Sequence, residues 1–155
     1  MANFVIDLAP LRKSRDFSFL WAAGLISYFG SMITYVAVPF QVKELTGSYV
    51  AVAISGLVEI VPLIIFGLYG GVLADALDRK KLIWVTELLS LLFTAILLIN
   101  SMMDSPSLLL IYIVSGLFAA TSGLRQPAMQ AALPRLVDHE DMTAAAALMS
   151  LRWQI

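Results

Sequence analysis

The stretch Gly70–Ile83, GGVLADALDRKKLI, decides how this chain is read. It opens on two glycines and carries three successive bases, Arg79, Lys80 and Lys81, near its end. Runs with almost no charge lie on both sides. None falls between Asp16 and Lys43, only Glu59 between Glu44 and Asp75, only Glu87 between Lys81 and Asp104, and none between Asp104 and Arg125. A bilayer core needs roughly 20 apolar helical residues to cross it. Four spans therefore fit, at about 17–42, 49–74, 82–103 and 107–133, and a fifth begins near Met142. The fold class expected is all-α integral membrane, and the bilayer is its first partner.

The composition agrees. Of 155 residues, 60% are hydrophobic and only 14% charged, and the charge sits between the apolar runs rather than across a surface. The first run is too long for a signal-peptide core and three more follow it, so it reads as a span. There is no cysteine, which excludes disulfides and thiolate metal sites. The bases form short clusters between spans rather than one face, so nucleic acid is not an expected partner. No nucleophile–base pair or phosphate loop is present, and no enzyme, cofactor or metal is expected. His139 lies in the acidic loop Asp138–Asp141 and reads as solvated.

Lys and Arg in short loops orient a membrane chain. Arg12, Lys13 and Arg15, then Arg79, Lys80 and Lys81, then Arg135 fall on one side, and Lys43 alone on the other. This predicts a multi-pass protein of the cell (plasma or inner) membrane with a cytoplasmic N-terminus. Trp21 and Trp84 then lie near the inner interface and Tyr49 near the outer one. The mixed segment before span one, residues 3–17, suits the inner interface. Three bases at the start of span three oppose its helix dipole, so helix stability alone would not select them. Asp78 just ahead is an expected N-cap, as is Asp141 for span five.

The spans differ in small residues. Gly67 and Gly71 in span two share a face, and Gly116, Ala119, Ala120 and Gly123 repeat the spacing in span four. Span one carries Gly24, Ser27, Gly30 and Ser31; span three has no glycine. Spans one, two and four are expected to pack inside, and span three to face lipid.

Ionisable groups within spans mark functional sites. Glu59 lies roughly 15 Å into span two, near mid-bilayer, where a carboxyl must face a polar cavity, find a partner or take up a proton. Pro62, three residues on, frees a backbone carbonyl. Glu87 lies about 8 Å into span three and Arg125 roughly 12 Å from the inner end of span four, so the two could pair. If span four ends near Leu124 instead, Arg125 stands at its boundary. Glu59, Arg125 and Glu87 are the candidates for a proton or substrate path, and a simply structural, hydrogen-bonded Glu59 is the alternative. Tyr28 and Tyr35, seven apart in span one, share a face and are cavity-lining candidates, with ordinary packing as the alternative.

With four spans and a basic loop in place, Gly71-x-x-x-Asp75-x-x-x-Arg79-Lys80-Lys81 resembles the loop two–three signature of the major facilitator superfamily. Ala76 stands where that signature usually has a base, and Asp78 where it usually has glycine. Leu11-Arg12 to Asp16-Phe17, Thr34 to Pro39, and Gln126-Pro127-Ala128 with Ala131 to Val137 resemble the branch of enterobactin (siderophore) exporters and macrolide-efflux-like proteins. The resemblance implies the N-terminal part of a twelve-helix proton antiporter with alternating access. It would export a siderophore or an amphipathic drug. The chain, residues 1–155, would be part of the first six-helix half, and the C-terminal remainder of the carrier a missing partner. Gly71, Asp75, Asp78, Arg79, Lys80 and Lys81 would form the gating loop, with Asp75 and Arg79 as the latch. A non-transporting truncated membrane protein or assembly partner is the other reading. A small multidrug carrier working as an oligomer fits the span count but not the loop signature.

Overall fold

A computed structural model describes residues 9–151, apart from the side chains of Ala74, Asp75 and Arg135. All regular structure among these residues is helical. α1 is Ala9–Lys13, α2 Arg15–Thr46, α3 Tyr49–Ala76, α4 Arg79–Ser101 and α5 Leu108–Ala132. Two 3₁₀ turns, Leu133–Arg135 and His139–Asp141, lead to α6, Met142–Leu151. The helices α2 to α5 are each long and apolar enough to cross a membrane, in agreement with the four expected spans. Two compact units divide the described chain: 9–31 with 132–151, and Met32–Ala131.

Local chemistry sets the helix ends. The α2–α3 turn needs a left-handed residue and has Gly47, φ 64°, whose N–H donates to Lys43 O at 2.9 Å. The Ser48 hydroxyl then accepts from Ala51 N–H and caps α3. Asp78 caps α4 as expected, accepting from the N–H groups of Lys80 at 2.9 Å and Lys81 at 3.4 Å. In the α4–α5 loop, Asn100 accepts from Ser107 N–H at 3.0 Å and donates to Ser107 O at 3.4 Å. That satisfies a buried amide on both sides.

The larger unit is organised on α5. Half of its most apolar window is buried, 50%, against 17% for α4 and 6% for α3. At one end Val38, Val42, Leu97, Ile111 and Val114 form a core shared by α2, α4 and α5. The Tyr112 hydroxyl donates to Ala51 O at 3.0 Å and ties α3 to it. At the other end Leu82 packs on Ala128.

Two expectations about packing need correction. Within this chain spans one and two are no more interior than span three: their windows are 17% and 6% buried, against 17% for span three. The close approach of α3 to α5 also uses the glycines differently: Gly67 enters only through its backbone, and Gly70 takes the place expected of Gly71. A methyl on Gly67 or Gly71 would meet nothing within 4 Å among the described residues, whereas one on Gly70 would lie 2.8 Å from Pro127 Cγ. The contacts fall on Val58, Pro62, Phe66 and Gly70 and on the backbone of Leu63 and Gly67 beside them, and they do not extend to Gly71.

That contact has a reciprocal chemistry. Pro62 and Pro127 sit inside their helices and have no N–H, which frees the carbonyls four residues back, Val58 O and Gly123 O. Each freed carbonyl faces a glycine of the other helix. A methyl on Gly116 would lie 3.2 Å from Val58 O, and one on Gly70 would lie 3.2 Å from Gly123 O. The absence of a Cβ at each glycine is what lets the two backbones come this close. The tightest point is Gly123, where a methyl would stand 2.7 Å from Leu63 O and 2.9 Å from Gly67 N.

The smaller unit has its own core, in which Phe17, Ala145 and Leu148 are buried. The Trp21 indole N–H donates to Leu148 O at 3.0 Å. Asp141 does not act as the expected cap. Both its oxygens accept from Lys13 Nζ, at 2.9 and 3.1 Å.

Candidate functional site

Within the Met32–Ala131 unit one group of polar side chains joins α4 to α5. On α4, Glu87 and Ser90 are three apart; on α5, Thr121 and Arg125 are four apart. Each pair therefore occupies one face of its helix, and the two faces oppose each other. Arg125 Nη1 donates to Glu87 Oε1 at 2.8 Å. One turn along, the Ser90 and Thr121 hydroxyls are 3.1 Å apart. The continuous helix α5 runs through Arg125 and Pro127 to Ala132, so Arg125 is an interior helical residue and not a terminal one.

Tyr35 of α2 stands edge-on to Phe118, with ring centroids 6.3 Å apart at 72°. Its phenol is within electrostatic reach of Glu59 and Arg125, and one turn of α5 away the Ser122 hydroxyl donates to Phe118 O at 3.1 Å. Glu59 of α3 is half-buried. It makes no ion pair with any described residue, and Arg125 is paired with Glu87. The cluster thus holds two carboxyls, one guanidinium, a phenol and three hydroxyls. The guanidinium keeps only 12% of its side chain exposed and the Glu87 carboxylate 27%, so their attraction is weakly screened. Such a set can bind polar or anionic groups of a ligand and can carry a proton between oxygens. Among the described residues no three His, Asp or Glu side chains group as a metal would require.

The other sequence candidates are placed as follows. Tyr28 belongs to the smaller unit, edge-on to Phe29 at 6.2 Å. The two tyrosines of the expected stripe therefore fall in separate units. In the basic loop Asp78 is the α4 cap, and Lys80 and Lys81 are exposed. Arg79 Nη1 donates to Ala131 O at 2.7 Å, a cation set on the negative C-terminal end of α5. The backbone at Asp75 is helical, and its side chain lies outside the described residues. Ser90, Thr121 and Ser122 were not among the sequence candidates. The available signal was their spacing, three from Glu87 and four and three from Arg125.

Comparison with known proteins bears on this arrangement. The chain matches the family described as transmembrane secretion effector over residues 5–155. It is 32% identical over 152 residues to the enterobactin exporter EntS of Salmonella choleraesuis (strain SC-B67), covering 96% of this chain and 36% of that protein. It is 29% identical over 127 residues to macrolide efflux protein A of Streptococcus pyogenes, covering 82% and 31%. The chain spans about a third of the length of these relatives. No solved structure matches it. With four membrane-length helices, the facilitator-type loop and a family match over nearly every residue, the chain belongs to the transmembrane secretion effector family of the major facilitator superfamily.

Proposed function

We propose that this chain is the N-terminal part of a proton-driven secondary transporter. It exports an amphipathic small molecule, a siderophore or a drug, by alternating access. The observation that carries the reading is the convergence of Tyr35, Glu59 and the Glu87–Arg125 pair from four apolar helices of one unit. Ionisable groups are rare in membrane helices and mark ion or substrate paths. In this reading Glu59 takes and releases the coupling proton. Arg125 and Glu87 hold the neighbouring charge in place, and Tyr35 offers an aromatic edge to the cargo. The names of the relatives, an enterobactin exporter and a macrolide efflux protein, support the cargo class. Asp75 and Arg79 form the gating latch, Gly71 and the neighbouring bases complete the loop, and the N-terminus is cytoplasmic. The rest of the carrier supplies the remaining helices, with 1–155 lying within the first six-helix half.

The test is transport by the full-length protein in liposomes under an imposed pH gradient, with a catecholate siderophore and a macrolide as cargo. Glu59→Gln is expected to abolish gradient-driven export while the protein still inserts. Unaltered export by that variant removes Glu59 from the mechanism.

A further inference from the structure

We propose that Arg12 and Arg15, together with Phe19, form a docking surface for the headgroup of an anionic phospholipid. The helical register is continuous across the short break at Ser14. Ser14 N–H donates to Pro10 O and Ser18 N–H to Ser14 O, both at 3.1 Å. One side of this segment is turned into the smaller unit. Pro10 and Phe17 are buried, Lys13 is bonded to Asp141 and Trp21 to Leu148 O. That leaves positions 12, 15 and 19, spaced by three and four, on the opposite side, and all three residues are exposed there.

The exposed side has the chemistry of a membrane interface. The Arg15 guanidinium lies 5.4 Å from the centroid of the Phe19 ring, and Phe19 is 62% exposed. A cation over a phenyl ring at the head of a membrane-length helix puts apolar area at the acyl boundary and charge at phosphate level. Lys13 is neutralised by Asp141, whereas neither Arg12 nor Arg15 has an ion pair among the described residues. Asp16, one position round, pairs with neither of them. Two guanidiniums, each a planar fork of donors, match a phosphodiester oxygen pair better than a zwitterionic headgroup whose own ammonium repels them. The assignment to the inner leaflet rests on the orientation proposed above; the headgroup preference does not.

The experiment uses the full-length protein with Phe19→benzoylphenylalanine. It is photo-crosslinked in bilayers of equal phosphatidylglycerol and phosphatidylcholine, and the crosslinked lipid is identified by mass. Phosphatidylglycerol is expected to dominate by roughly tenfold, and the double variant Arg12→Gln, Arg15→Gln to bring the ratio close to that supplied. Arg12→Lys with Arg15→Lys keeps the charge and is expected to keep most of the preference, which separates charge from loss of fold. Crosslinking in the supplied ratio by the parent protein, or an unchanged preference in the Gln variant, overturns the site. Orientation is read separately. The chain has no cysteine, so Ser105→Cys and His139→Cys can be labelled singly with an impermeant maleimide in intact cells. Labelling at 139 rather than 105 overturns the orientation and leaves the headgroup result standing.

Discussion

Arg125 of α5 and Glu87 of α4 form an ion pair at 2.8 Å, although 38 residues separate them in the chain. The pair ties the most buried helix of the larger unit to its neighbour. Glu59, the other carboxyl in the cluster, makes no ion pair with the guanidinium. In an apolar surround each charge depends on the other, because neither can recover full hydration if the pair is broken.

Removing one partner is therefore expected to be worse than removing both. Glu87→Gln or Arg125→Gln alone should destabilise by about 2 kcal/mol, less than a fully buried pair would because Glu87 keeps 27% of its side chain exposed. The double variant should recover at least about 1 kcal/mol of the summed loss. Thermal unfolding in detergent of the four proteins checks this. Additive losses would show that the pair contributes nothing to stability.

The glycines of the α3–α5 contact should respond according to position. Gly123→Ala places a methyl 2.7 Å from Leu63 O and should cost about 1–3 kcal/mol through forced separation of the helices. Gly71→Ala meets nothing within 4 Å among the described residues. It should be neutral or stabilise by up to about 1 kcal/mol through lower backbone entropy in the unfolded chain. Equal unfolding temperatures for the two variants would contradict the geometry.

The Lys13–Asp141 contact gives a pH dependence of defined sign. The hydrogen bond to Asp141, then the charge of that carboxylate, raises the Lys13 ammonium above its ordinary 10.5. A raised folded value means the contact contributes fully below 10.5 and is lost as pH rises through the folded value. Trp21 bonds within the same unit and reports on it. With Trp84 and Trp153 replaced by Phe, its emission should hold to higher pH in the parent than in Asp141→Asn. Coincident alkaline transitions would show that the contact does not hold α1 in place.

The α4 cap is separable from the charge of its loop. Asp78→Ala should destabilise by about 1 kcal/mol, since two N–H groups lose their acceptor, and Asp78→Ser should restore most of it. Helix content and unfolding temperature measured together give the answer. An alanine variant as stable as the parent would mean water replaces the cap without cost.

What sequence determined by itself was local. Runs of apolar residues are long enough to cross a bilayer, and α2 to α5 fall where those runs lie. Asp78 caps α4 because a short carboxylate before a helix reaches the next N–H groups whatever surrounds it. The possible pairing of Glu87 with Arg125 was also legible, because depth along a helix follows from residue count. Depth gives height but not rotation, so the same reasoning could not say which faces meet. Tertiary structure decided that Gly70 and not Gly71 approaches α5, that Ser90 and Thr121 join the seam, and that Asp141 holds Lys13 instead of capping α6. Each of these depends on the rotation of a helix about its axis or on the turn before it. Those angles are set by packing across the whole bundle, chiefly where a proline on one helix frees a carbonyl and a glycine on the other lets the backbone reach it.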